Sequence, residues 1–221
     1  MAVSDNPKPP IKTRRKSMSV LIGFSGSDWT KKVNSIAPTS GYCVFIDIVG
    51  STAVKDKPFS KWLAFFHNNI SLGLSSFHHF QSLYKILGDG ILIWISQAKM
   101  SQSGESALTI LDFLHKIAHE NDSKYFLKSK ISVTFCKSVY EISFDPDKED
   151  IYGQEIDLCF RLNQFAEGRE IIMNDGFYKS LMAHFNKIGN KEQFPYIRKI
   201  QGPWTTKIKG VNKKQQIFKL T

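Results

Sequence analysis

The sequence predicts an α+β domain with a ferredoxin-like βαββαβ core, and three observations carry that prediction. Short apolar runs of strand length alternate with two stretches of helical periodicity in the order β-α-β-β-α-β. Gly88-Asp89-Gly90 separates the runs "LYKIL" and "ILIWI", which marks a tight hairpin. The chain has 221 residues with 42% hydrophobic composition, enough for one well-buried domain.

Taken in order, the start "MAVSDNPKPPIKTRRKS" has no apolar stretch of the kind a signal peptide needs and reads as a basic, proline-containing arm. "SIAPTSG" (35–41) is loop-like, so residues 1–40 are assigned to an N-terminal arm and linker and 41–221 to the folded domain. The first strand is placed near 42–47, where β-branched and aromatic residues suit a covered pleat. Trp62, Phe65, Phe66, Ile70, Leu74 and Phe77 then recur at helical spacing, and the hairpin follows. Ala107, Leu108, Leu111, Leu114, Ile117 and Ala118 predict a second amphipathic helix. A strand near 131–142, an acidic loop "FDPDKED", a helix over "GQEIDLCFRLNQFAE" and a strand at "EIIMN" come next. Two last strands, near 196–201 and 215–220, extend the core.

Composition excludes several function classes. No apolar run approaches the roughly 20 residues of a membrane-spanning helix, so a cytoplasmic protein is expected. Cys43, Cys136 and Cys159 are odd in number, far apart and without a Cys or His neighbour at metal-ligand spacing, which argues against disulfides and against zinc. The net charge of +10 is terminal: residues 1–20 hold five Lys/Arg against one acid and 186–221 nine against one, whereas 21–185 hold sixteen against eighteen. With no helix-turn-helix and no aromatic RNA-binding signature, nucleic acid is not expected as a partner.

"CVFIDIVGST" (43–52) sets Asp47 inside an apolar strand. A carboxylate there needs a hydrogen-bond donor, a cationic partner, a metal or an escape to solvent at the strand end. If the first strand pairs with the hairpin, Asp47 and Asp89 fall side by side. Two adjacent carboxylates repel unless a cation lies between them, and oxygen-only ligands favour Mg²⁺ or Mn²⁺. Asp157 and Arg161, four apart on a helix, project from one face.

"VFIDIVGST", "YKILGDGILIWI" and "DIYGQEIDLCFRLNQFAEGREIIMN", in that order and spacing, resemble the three successive signatures of class III nucleotidyl cyclases. The likeness covers about 42–175, and the closing "IKGVNKKQQIFKL" is similar to that family's last strand. The resemblance implies the class III cyclase fold and a homodimer with shared active sites. By position, Asp47, Asp89 and the Ile48 carbonyl would bind two Mn²⁺ or Mg²⁺ ions per site. The amides of Val49, Gly50, Ser51 and Thr52 would cradle the triphosphate of a nucleoside triphosphate substrate. Arg161 falls where the family keeps its transition-state arginine, and Asp157 where it usually has a ribose-holding asparagine. Lys85 and Asp150 fall at the base-reading positions and match the adenylate-forming pair. Lys207 and Lys209, before the last strand, are candidates for the γ-phosphate.

As a small chain with a basic arm and neither sensor nor membrane anchor, it most resembles the bacterial pyrimidine cyclases of Pycsar anti-phage defence. Tyr42 is the residue expected to narrow the base pocket against purines. The expected activity is conversion of a pyrimidine triphosphate, CTP ahead of UTP, to the 3′,5′-cyclic monophosphate, read by a separate cyclic-nucleotide-binding effector. Adenylate cyclase and a catalytically weak nucleotide-binding regulatory module stand as alternatives.

Overall fold

The computed structural model describes residues 19–20, 26–51, 59–80, 82–119, 128–144 and 149–221. Among the described residues nine strands form one mostly antiparallel sheet, in the order β3-β4-β2-β5-β7-β9-β8, with β1 and β6 both paired to β5 off that path. The central strands are β2 (Thr39–Ile48), β3 (Leu83–Leu87), β4 (Gly90–Ser96) and β5 (Ser129–Ser143). Counted along the chain, these four stand in the sheet as second, third, first, fourth, the ferredoxin-like arrangement. β7 (Ile171–Asn174), β8 (Gln201–Thr206) and β9 (Gln215–Leu220) extend it.

β2 is buried almost throughout because both of its faces are covered. Tyr42, Val44 and Ile46 join the larger core. That core also takes residues from α2 (Phe59–Phe77), α3 (Gln97–Ser103), α4 (Ala107–His119) and α6 (Asp175–Phe185). Cys43 and Phe45 point the other way, into a cluster shared with Leu83, Leu92, Trp94 and α5 (Gln154–Asn163). α5 is fastened to β2 by polar contacts: the Cys159 thiol donates to the Cys43 carbonyl (3.3 Å), and Asn163 donates to the carbonyls of Phe45 (3.5 Å) and Lys130 (3.0 Å). All three cysteines are free thiols and buried.

Within the range assigned to the arm, β1 (Ser19–Val20) runs parallel to β5, and Gly26–Asn34 forms a helix, α1. The basic start, 1–18, lies outside the described residues. Near the other end, the strand expected over 196–201 is instead a 3₁₀ segment, Pro195–Lys199, and β8 begins at Gln201. Pro195 sits at the first position of that segment, where a missing N–H costs nothing. α6 was not anticipated; Asn174 caps it by accepting from the Phe177 amide at 2.8 Å.

Candidate active site

Asp47 lies at the end of β2 on the same face as Cys43 and Phe45. In β5 it stands opposite Lys130, and the Lys130 ammonium pairs with its Oδ2 at 3.0 Å. The Asp47 side chain keeps 19% of its exposure, so the buried-strand acid has a cationic partner and an open side together. Asp89 occupies the two-residue turn after β3 and is half-buried. The β2–β4 register runs from Gly41 opposite Ser96 to Ile46 opposite Ile91, and one further step sets Gly90 opposite Asp47. Gly90 is required by this approach: a Cβ there would stand 2.7 Å from the Phe45 ring and 3.1 Å from the Ile46 carbonyl oxygen. The hairpin therefore brings Asp89 to the Asp47 end of β2.

These donors fit a hard divalent cation. Among the described residues no three His, Cys, Asp or Glu side chains converge. A cation held by Asp47 and Asp89 would complete its shell with backbone carbonyl, water and substrate phosphate, which is how magnesium is commonly bound. The Ile48 side chain is buried, so only its carbonyl is offered to such a site.

Of the four amides expected to cradle phosphate, that of Val49 is already used, donating to the Lys128 carbonyl at 2.8 Å. The ladder between β2 and the approach to β5 continues one residue beyond the strand, and that consumes the donor. Gly50 is exposed and Ser51 buried, and Thr52 lies outside the described residues.

Lys85 and Asp150, far apart in sequence, meet as an ion pair in a cleft between β3 and β6 (Ile151–Tyr152). Leu83, Tyr84, Leu92, Glu149 and Ile151 complete its lining. Burial holds the Lys85 ammonium below the ordinary lysine range. Asp150 also accepts from its neighbour's amide, Ile151 N to Oδ1 at 2.6 Å, and from the Tyr152 hydroxyl, at Oδ2, 2.8 Å. Tyr152 was not singled out from the sequence, and its place two residues after Asp150 in a short strand is the only local signal for it.

Tyr42 does not line this cleft. Side chains alternate along a strand, so Tyr42 faces the opposite side of the sheet from Phe45 and Leu92. It is 3% exposed, its hydroxyl bonds Ser180 Oγ at 2.7 Å, and its ring packs on Phe135 and Phe177.

Arg161 lies in the last turn of α5 and reaches the turn between β8 and β9, where its guanidinium donates to the Lys209 carbonyl. Gly210 makes room for it. That glycine has φ +77°, and a Cβ would lie 3.1 Å from Arg161 Nη2. Among the described residues Arg161 thus hydrogen-bonds this turn rather than Asp157, and both side chains are exposed. Lys207 and Lys209 are exposed on the same turn, while Ile208 between them anchors it in an apolar cluster with Leu158 and Leu162 of α5.

No protein-family model matches the chain, and no curated protein matches it. Solved structures do. The chain is similar to the adenylyl cyclase CyaB from P. aeruginosa at 15% identity and a TM-score of 0.64, over 83% of this chain and 94% of that one. It is also similar to adenylate cyclases from Trypanosoma brucei in their monomeric state (14%, TM-score 0.62, 82% and 88%). A third is the guanylate cyclase domain of RhGC from Catenaria anguillulae in complex with GTP (13%, TM-score 0.60, 83% and 96%). At these identities the likeness establishes the fold, that of class III nucleotidyl cyclase catalytic domains.

Proposed function

We propose that the protein is a metal-dependent nucleotidyl cyclase that converts a nucleoside triphosphate to its 3′,5′-cyclic monophosphate and pyrophosphate. The observation that carries this reading is the meeting of Lys85 and Asp150 in one cleft of a fold that also brings Asp47, at the end of β2, and Asp89, in the β3–β4 turn, to one end of the sheet. Magnesium or manganese at the two carboxylates, two ions per site, would supply a lowered 3′-hydroxyl pKa and neutralise phosphate charge. Gly50, Ser51 and Thr52 remain the proposed phosphate donors.

The chain's own residues supply positioning and charge. As the 3′-oxygen bonds to the α-phosphorus, the α–β bridging P–O bond breaks, the 3′ proton is released and pyrophosphate leaves with the electron pair. Arg161, braced by the Lys209 carbonyl and Gly210, presents a planar donor fork to the charge that builds on the α-phosphate. Lys207 and Lys209 are the point charges for the γ-phosphate, and Asp157 is placed to accept from a ribose hydroxyl.

Asp150 accepts from an exocyclic amino group, which cytosine and adenine carry and uracil lacks. CTP follows from the resemblance to the pyrimidine cyclases, together with a second-messenger role in anti-phage defence and a separate cyclic-nucleotide effector. ATP is the second reading, favoured by the burial of Tyr42: without that ring in the cleft, the steric argument against purines lapses. The working form is a homodimer. Its support is the edge strand β3, where Tyr84 (54% exposed), Ile86 (50%) and Leu87 (40%) leave an apolar surface open.

Incubating the protein with Mn²⁺ and each of the four ribonucleoside triphosphates, followed by mass spectrometry, tests the reading. Cyclic CMP or cyclic AMP with equimolar pyrophosphate is expected. Linear hydrolysis products alone, or no product with any triphosphate, would refute it.

A further inference from the structure

Among the described residues, three donors of its own chain hold Asp150. Its Oδ1 takes the Lys85 ammonium and the Ile151 amide, and its Oδ2 takes the Tyr152 hydroxyl. A carboxylate offers about four acceptor sites, so among the described residues the one left open is on the Oδ2 side, in a direction set by the phenol.

That phenol is itself packed on several sides. Tyr152 pairs in register with Tyr140 of β5, its ring meets Phe144 edge-on at 5.4 Å, and the Lys85 ammonium sits 5.5 Å from its centroid. Phe144 is stacked in turn on Trp29 of α1, with centroids 5.8 Å apart and planes at 26°. α1 buries no residue completely, and Trp29 is partly covered. β1 pairs with Ile142 and Ser143, the two residues just before Phe144. The segment that precedes the central sheet is therefore tied to the end of β5 by a strand and by a ring, and both ties lie next to Tyr152.

We propose that Tyr152 is a positioning residue for base selection, aiming the free acceptor of Asp150 at the amino group of the base, and that α1 holds it there through Trp29 and Phe144. The proposal rests on the cyclase reading above, in which Lys85 and Asp150 contact the base. Tyr152→Phe removes the hydrogen bond and keeps the ring; Trp29→Ala removes the outer prop at a surface position remote from the base.

Selectivity is the readout, because a purely structural role would not move it. The ratio of kcat/KM is measured for two pairs matched in ring size, CTP against UTP and ATP against ITP, each comparing an amino with a keto group. Tyr152→Phe should lower the amino preference about ten-fold, mainly through KM, the worth of one hydrogen bond to a charged group. Trp29→Ala should shift the same ratio in the same direction by about three-fold. Unchanged ratios in both variants overturn the proposal, as does an equal loss for both members of each pair accompanied by a lowered thermal midpoint. The α,β-methylene analogues of the four triphosphates, which cannot cyclise, give the same ratios by titration calorimetry. If wild type binds them with an amino preference that Tyr152→Phe reduces, yet turns over no triphosphate, the cyclase reading falls and this one stands. If wild type binds amino and keto analogues equally, this one falls.

Discussion

Asp47 is both an ion-pair partner within the sheet and, in the proposed function, a metal ligand. Its partner Lys130 sits directly across the ladder, and the β2–β4 register brings the hairpin turn that carries Asp89 to the same end of β2. Both members of the ion pair are partly exposed, so its net contribution is about 1 kcal/mol or less. Asp47→Ala and Asp89→Ala are therefore each expected to abolish cyclisation while unfolding within about 1 kcal/mol of wild type. Product assays under saturating Mn²⁺ and thermal melts check this, and near-wild-type turnover in either variant would end the metal assignment. Lys130 makes a second, opposite prediction. In the proposed metal site its ammonium would compete with the cation for Asp47, so Lys130→Met should lower the Mn²⁺ concentration for half-maximal activity several-fold. A higher requirement would mean that Lys130 orients the carboxylate for the metal. The places of Asp47 and Asp89 were legible in the sequence because an acid in an apolar strand and a Gly-Asp-Gly turn between two apolar runs are local signals. Lys130 was not, since its role depends on a β2–β5 register that no local pattern specifies. Tyr42, expected to narrow the base pocket, is sent to the other face of the sheet by period-two alternation from Asp47, five residues on.

At the scale of elements, strongly periodic segments were readable and those closed by tertiary packing were not. α2, α4 and the hairpin follow from apolar spacing and one turn. The Pro195–Lys199 turn reads as strand in the sequence, and the burial of Tyr196 and Ile197 suits either element, so an apolar pair alone does not distinguish the two. That turn matters for α4. Tyr196 stacks on His115 at 4.1 Å and donates to Asp112 Oδ1 at 3.0 Å, and His119 lies against His115 at 4.5 Å. Burial pushes both histidines below the ordinary value of 6.5; for His115 the neighbouring His119 and Lys199 add to this and Asp112 opposes it, and for His119 Arg169 and Lys199 add to it. The unfolded chain then binds more protons than the folded one just below pH 6.5, so stability is fully present above that pH and is lost as pH falls toward the folded values. Urea unfolding at pH 7.5 and at about pH 5.5 should show this loss. A His115→Gln/His119→Gln variant should show a shallower slope over the same window, and an unchanged slope would assign the acid sensitivity elsewhere.

For the whole molecule, the order of strands and helices was readable because the ferredoxin-like core follows chain order, but the number of chains in an active site is a question of surface. β3 is an edge strand, and Tyr84 and Ile86 stand on the face of Ile93 and Ile91, with which they pair, yet each is about half exposed. Trp204 of β8, at the opposite edge of the sheet, is 42% exposed, so the sheet ends in apolar side chains on both flanks. A second copy covering these flanks could set the Asp47 and Asp89 carboxylates of one chain against Arg161, Lys85 and Asp150 of the other. The resemblance to class III cyclases implies this division. It has a consequence that a site built within one chain lacks. An inactive Asp47→Ala protein mixed with an inactive Arg161→Ala protein should regain up to about half the wild-type activity per heterodimer, because one composite site then carries both lesions and the other carries neither. Mixing tagged and untagged chains, with exchange followed by pull-down, establishes that heterodimers have formed before activity is read. Exchange without recovered turnover would place metal ligands and Arg161 of the same chain in one site, and the apolar flanks would then need another partner.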